Sequence, residues 1–182
     1  MEEVTYQGMT FVPYIKRDEI AQQVKRLADE IKRDYKDKAP LFLCVLNGSF
    51  IFSADLFRAC DLHDAEITFA RFKSYQGTQT TGHVEQVMGF SEDLTGRHIL
   101  IVEDIIDTGL TAQQMHKELA RHNPASVKMV SLLFKPDALQ VKECAPDYVG
   151  FSIPRKFILG YGLDIDGLAR NLPDIYVLKE ND

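Results

Sequence analysis

Apolar residues recur along this chain in two rhythms. Ile20, Val24, Leu27, Ile31 and Tyr35 step by three or four positions, which predicts a helix from Asp18 with the intervening charges on its solvated face. Lys38-Ala39-Pro40 ends that pattern, and Leu41 to Leu46 is an unbroken apolar run of the kind that fills a strand buried on both faces. Asn47-Gly48-Ser49 interrupts the run, Phe50 to Cys60 is helical again, and Ile67 to Phe72 predicts another strand. Further on, Ile99 to Val102 is a buried strand leading to a helix from Ala112 to about His122. Val127 to Phe134, Tyr148 to Ile153 and the short run Ile175 to Leu178 complete the strands. Two stretches break the rhythm. Residues 1–16 are irregular, with Pro13 and room for one small strand. Residues 73–89 are polar and patternless, and loops of that length tend to be lids or binding loops.

Apolar strands alternating with helices predict an α/β fold with a mainly parallel, twisted sheet. The tail beyond Pro154 has Gly-rich turns and little helix, so it is expected to cover one edge as a separate flap. A length of 182 residues and 45% apolar content suit one domain. The net charge is −6 and the basic residues are dispersed, which argues against a nucleic-acid partner. No apolar run reaches membrane-spanning length and the N-terminus lacks a signal-peptide pattern, so no membrane association and a cytoplasmic location are expected. Cys44, Cys60 and Cys144 are odd in number and set among apolar residues, as reduced core thiols are. The five histidines show no ligand spacing, which excludes an obvious zinc site.

The chemistry concentrates between Arg97 and Thr111. Glu103 and Asp104 end the apolar run, Asp107 follows three residues later, and Thr108-Gly109-Leu110-Thr111 leads into a helix. Capping that helix needs one carboxylate, whereas three in five residues repel one another and call for a ligand. No GxGxxG and no GxxxxGK[ST] is present. Asp107-Thr108-Gly109 spells the aspartic-protease triplet, but it occurs once and is followed by a helix pattern rather than an all-β one. The hydroxyls of Thr108 and Thr111 and the Gly109 amide, at a helix N-terminus, form a phosphate cradle. A ribose phosphate reconciles cradle and carboxylates, because its 2′- and 3′-hydroxyls donate to Glu103 and Asp104.

Glu-Asp-Ile-Ile-Asp-Thr-Gly-x-Thr (103–111) resembles the ribose-phosphate motif of the type I phosphoribosyltransferases, and most closely that of the hypoxanthine-guanine phosphoribosyltransferases. Five further stretches resemble this family in order. Leu46-Asn47-Gly48-Ser49 is similar to its pyrophosphate loop and Lys73-Ser74-Tyr75 to the start of its mobile catalytic loop. The segments from Ser131 to Lys135, from Asp147 to Phe151 and from Phe157 to Asp164, with Arg170 following, are similar to its purine-binding region. The resemblance implies a single domain over residues 1–182, with a core of about 17–153 and a hood from about 1–16 and 154–182. Purine salvage would be its function: transfer of the phosphoribosyl group from phosphoribosyl pyrophosphate to hypoxanthine or guanine, giving IMP or GMP. By the same resemblance, Glu103 and Asp104 bind the ribose hydroxyls and magnesium, and Asp107 takes the proton from purine N7. Thr108, Gly109, Leu110 and Thr111 hold the 5′-phosphate, while Leu46, Asn47, Gly48 and Arg170 hold the pyrophosphate. Lys135 donates to the 6-oxygen, Phe157 stacks on the base, the Ile158 backbone meets its 2-position, Asp164 holds a second magnesium, and Ser74 and Tyr75 close as a lid.

The implied partners are the purine base and phosphoribosyl pyrophosphate, in a homodimer or homotetramer. Asn47 stands where many members carry a basic residue, and Leu110 where some carry Lys, so amides and hydroxyls are left to meet those anions. Arg155 replaces a common acidic residue, with no catalytic effect expected, and His83 is assigned no role. A non-catalytic regulator on the same fold is the rival reading. It would dispense with Asp107, Lys135 and Asp164 and want a basic patch, so the enzyme is favoured.

Overall fold

The structure is a computed structural model and describes residues 2–74, 84–88 and 93–180. The chain opens with an antiparallel pair, β1 (Val4–Tyr6) and β2 (Met9–Ile15), where an irregular start with one small strand was expected. Gly8, in the left-handed region at φ 75°, makes the reversal that the apolar pattern does not announce. Helix α1 (Arg17–Tyr35) then follows, with Asp18 and Glu19 in its first turn and Lys32 and Arg33 in its last, matching the helix dipole. The Lys16 amide, one of the donors left over at the helix start, donates to Glu19 Oε2 at 3.0 Å. Next come β3 (Leu41–Leu46), α2 (Phe50–Cys60) and β4 (Glu66–Ser74).

The expectation of a loop over 73–89 requires correction at residues 73–74 and 84–88. Strand β4 runs on to Ser74, and β5 (Val84–Met88) returns antiparallel to it, pairing Lys73 with Glu85 and Ser74 with Val84. An edge strand is held by main-chain hydrogen bonds and tolerates polar residues, so it carries little apolar signal. Tyr75 and His83 lie outside the described residues. Strand β6 (His98–Ile106) leads to α3 (Leu110–Ala120), which starts two residues earlier than its apolar pattern. Strand β7 (Ser126–Phe134), two short 3₁₀ turns, β8 (Tyr148–Ser152), β9 (Ile158–Leu159) and β10 (Ile175–Leu178) follow.

The larger sheet has the order β5-β4-β3-β6-β7-β8 and is parallel except at β5. Alternate residues point to its two faces, as the pleat requires. Phe42, Cys44, Leu100, Val102, Val130 and Leu132 pack against Ile20, Val24, Leu27 and Ile31 of α1 and Phe52 and Leu56 of α2. Leu41, Leu43, Val45, Ile99, Ile101 and Met129 pack against Ala112, Met115 and Leu119 of α3. Burial on both faces explains the unbroken apolar runs.

The smaller sheet, β1-β2-β10-β9, is antiparallel and joins the two ends of the chain around Phe11, Leu159, Ile165, Ala169 and Tyr176. This is the expected flap, built from both termini as a hood. Asp174, 1% exposed, fastens it to α1: the Arg17 amide donates to its Oδ1 at 2.7 Å and Arg17 Nη2 to its Oδ2 at 2.9 Å. Those hydrogen bonds hold the Asp174 carboxyl below its ordinary range.

Candidate active site

Strand β6 delivers its last residues into a cavity of about 220 Å³ lined by Val45, Glu103, Ile105, Ile106, Asp107, Thr108, Gly109, Thr111 and Ala112. This is the carboxyl end of a central parallel strand, where open α/β sheets bind their ligands. A wider cleft of about 560 Å³ lies elsewhere, between α1, α2 and residues 171–173, and receives none of these carboxylates.

Glu103 is 6% exposed, and burial first, then repulsion from Asp104, raises its carboxyl well above the usual carboxylate range. Asp104 is pushed up to about 6 by burial; bonds from the backbone amides and the charge of Arg170 oppose this, while Asp164 adds to it. Two adjacent acids that resist ionisation are a prepared site for cations or hydroxyl donors. Asp107, by contrast, is half exposed and accepts a hydrogen bond from Lys135 Nζ at 3.0 Å. The β6–β7 register pairs Ile106 with Phe134, which sets the next residue of each strand side by side.

The turn after Asp107 is shaped for an anion. Gly109 stands at φ 82°, just before α3, and the Leu110 amide donates to Thr108 Oγ1 at 3.4 Å. From below, the amides of Gln140 and Val141 donate to the Thr108 carbonyl at 2.9 and 3.4 Å. A methyl on Gly109 would meet Leu139 Cδ1 at 2.9 Å. The segment 139–141 therefore props this turn, a role with no trace in the sequence pattern.

Two other segments border the carboxylates. Leu46 ends β3, Asn47 is exposed, and Gly48 backs so closely onto Asp104 that any β-carbon there would overlap the carboxylate. From the hood, Arg170 Nη2 pairs with Asp164 Oδ1 at 2.8 Å, and its Nη1 donates to the Gly162 carbonyl at 2.7 Å. Asp164 Oδ2 also accepts the Gly167 amide at 2.6 Å. Phe157 is 46% exposed, resting one side against Phe11 with ring centroids 5.8 Å apart, while Ile158 is buried in β9. Arg155 donates to the Asp137 carbonyl, just past Lys135, and reaches none of the carboxylates described above. The backbone of Ser74 ends β4.

Among the described residues, no three His, Cys, Asp or Glu side chains converge as a metal cage. The adjacent Glu103 and Asp104 nonetheless fit magnesium, which is ordinarily held by one or two carboxylates with substrate oxygens and water completing the shell.

The match of this chain to known proteins is direct. Residues 15–166 match the phosphoribosyl transferase domain, and the chain belongs to the phosphoribosyl transferase family. It is 43% identical over 166 residues to the hypoxanthine-guanine phosphoribosyltransferase of Lactococcus lactis, covering 91% of this chain and 89% of that one. The hypoxanthine-guanine-xanthine phosphoribosyltransferase of Tritrichomonas foetus is 38% identical, over 91% of this chain and 90% of its own. A solved hypoxanthine-guanine phosphoribosyltransferase from Bacillus anthracis superposes with a TM-score of 0.86 at 37% identity, covering 93% of this chain and 97% of that chain.

Proposed function

We propose that this chain is a purine-salvage enzyme transferring the 5-phosphoribosyl group from phosphoribosyl pyrophosphate to hypoxanthine or guanine, with IMP or GMP and pyrophosphate as products. One observation carries the reading. A paired acid site, an anion turn and an ion-paired Asp107–Lys135 meet at the end of one strand. The relatives named for hypoxanthine and guanine support the same substrates.

In this reading the amides and hydroxyls of Thr108, Gly109, Leu110 and Thr111 receive the 5′-phosphate at the α3 N-terminus. Glu103 and Asp104 accept hydrogen bonds from the ribose hydroxyls. Glu103 and Asp104 would hold one magnesium ion and Asp164 a second, and these would supply charge neutralisation to the pyrophosphate leaving group. Leu46, Asn47, Gly48 and Arg170 receive that leaving group. The base lies against the free side of Phe157, with the Ile158 backbone at its 2-position. Lys135 has donors and no acceptor, which suits a 6-oxo group and opposes a 6-amino group. As N9 forms its bond to C1 of the ribose and the C1–O bond to pyrophosphate breaks, Asp107 takes the N7 proton. Ser74 and Tyr75 are assigned to a lid that keeps water from the ribosyl centre.

We read the core and hood as one domain. None of the described helices is long and apolar enough to cross a membrane, and three buried free cysteines suit a cytoplasmic enzyme. Exposed Phe50, Ile67 and Phe69 support self-association as a homodimer or homotetramer. The decisive assay is a panel of purines with phosphoribosyl pyrophosphate and magnesium. Hypoxanthine and guanine should turn over, with adenine disfavoured by ~10⁴-fold because a closed polar site leaves mismatched groups unpaired. Comparable turnover of adenine would sink the assignment.

A further inference from the structure

The hood touches the catalytic loops through a turn with three successive residues in the left-handed region: Gly160 (φ 97°), Tyr161 (φ 49°) and Gly162 (φ 101°). This turn is anchored on several sides. The Gly160 amide donates to the Leu163 carbonyl at 3.1 Å, that of Tyr161 to Leu172 at 2.8 Å, and that of Gly162 to Arg170 at 2.9 Å. Arg170 returns a bond to the Gly162 carbonyl, and Tyr161 Oη donates to Asp55 Oδ2 on α2 at 2.6 Å. Against this fixed turn lies the Gly48 carbonyl, so close to the Gly162 α-carbon that any β-carbon there would overlap it. Gly48 in turn backs onto Asp104. Hood turn, Gly48 peptide and Asp104 carboxylate thus form one tight stack, with a glycine at each of its two close approaches.

We propose that Gly162 is a positioning residue for the pyrophosphate site: it lets the anchored hood turn act as a stop that seats the Gly48 peptide against Asp104. The claim rests on the transferase reading for its substrate and on packing for its mechanism. A side chain at Gly162 displaces something, and the turn, bonded to Leu163, Leu172, Arg170 and Asp55, is the better-held partner. The Gly48 peptide therefore moves, and with it the amides that meet the leaving group. Positioning errors of about 1 Å at reacting groups are worth up to ~10²-fold in rate. The purine contacts at Lys135 and Phe157 stand outside the stack and keep their geometry.

Calorimetric titration of inorganic pyrophosphate with magnesium, alongside steady-state kinetics, tests this on the full chain. Gly162→Ala should weaken pyrophosphate binding and raise KM for phosphoribosyl pyrophosphate by ~10-fold, with KM for the purine unchanged. An unaltered pyrophosphate affinity, or equal losses for purine and pyrophosphate, overturns the proposal. Tyr161→Phe keeps all three glycines and frees the turn from Asp55, so it serves if Gly162→Ala does not fold. It should weaken pyrophosphate in the same selective way, and wild-type affinity in that variant also overturns the proposal. Wild-type protein that binds pyrophosphate yet turns over no purine would discard the transferase reading and leave the positioning role standing. Wild-type protein that binds no pyrophosphate would discard both.

Discussion

Lys135 Nζ donates to Asp107 Oδ2 across 3.0 Å and so joins the ends of the neighbouring strands β6 and β7 at the mouth of the site. The lysine side chain is 13% exposed and the aspartate 49%, so the lysine is the better-shielded partner while the carboxylate still faces solvent. A purine presenting its 6-oxygen and N7–H together would satisfy both groups, replacing one ion pair by two hydrogen bonds.

Asp107→Asn preserves shape but removes the proton acceptor. We expect kcat to fall by ~10²–10⁴-fold, the usual contribution of a positioned general base. Binding of phosphoribosyl pyrophosphate should stay unchanged. Single-turnover kinetics at saturating substrate read the chemical step, and a wild-type rate there would remove Asp107 from the role.

Lys135→Met keeps the buried stem and deletes the donor. A hydrogen bond to a charged group is worth about 1.5–3 kcal/mol, so kcat/KM for hypoxanthine and guanine should drop together by ~10–10²-fold. KM for phosphoribosyl pyrophosphate should not move. Loss confined to one of the two purines would show that Lys135 reads something other than the shared 6-oxo group.

The buried acids give the ligand-free protein a pH dependence of definite sign. Burial pushes Asp104 from its ordinary 3.8 up to about 6, so between these values the folded state binds more protons. Stability therefore falls as pH rises through that window, by on the order of 2–3 kcal/mol from this group. Asp104→Asn should raise Tm at pH 8 and leave it nearly unchanged at pH 3.5, as scanning calorimetry can record. An equal shift at both pH values would mean that the carboxylate charge is not the cause.

Gly109→Ala meets two penalties: a left-handed backbone, worth about 1–2 kcal/mol, and contact with Leu139 Cδ1. The variant should lose stability in urea titration and bind phosphoribosyl pyrophosphate more weakly. Adding Leu139→Ala relieves only the second penalty, so it should restore part of the affinity for the substrate. No recovery would separate the 139–141 segment from the phosphate turn.

The apolar runs of β3, β6 and β7 were legible because strands covered on both faces have no room for polar residues. Glu103, Asp104, Asp107 and the 108–111 turn were legible because so many acids beside a helix start have no structural excuse. Strand β5 was not, since an edge strand relies on main-chain pairing and Val84 to Met88 carries no alternating pattern strong enough to mark it. Nor was the prop at Leu139 to Val141, whose work is done by backbone amides that any residue except proline supplies. Gly162 looked like one more loop glycine. Its significance lies in the distance to Gly48, more than a hundred residues away in the chain, and periodicity carries no information of that kind.

The antiparallel pairing of Phe11 with Leu178 and Val12 with Val177 sets an order on assembly. The parallel core is built from strand–helix units near one another in the chain, so Glu103 to Thr111 could take their places early. Strand β2 (Met9–Ile15) must wait for β10 (Ile175–Leu178), far along the chain, and their meeting closes the hood that carries Asp164 and Arg170. On the proposed function, nascent chains would thus hold a finished 108–111 turn before Asp164 and Arg170 are seated, and competence for transfer would arrive in a single late step.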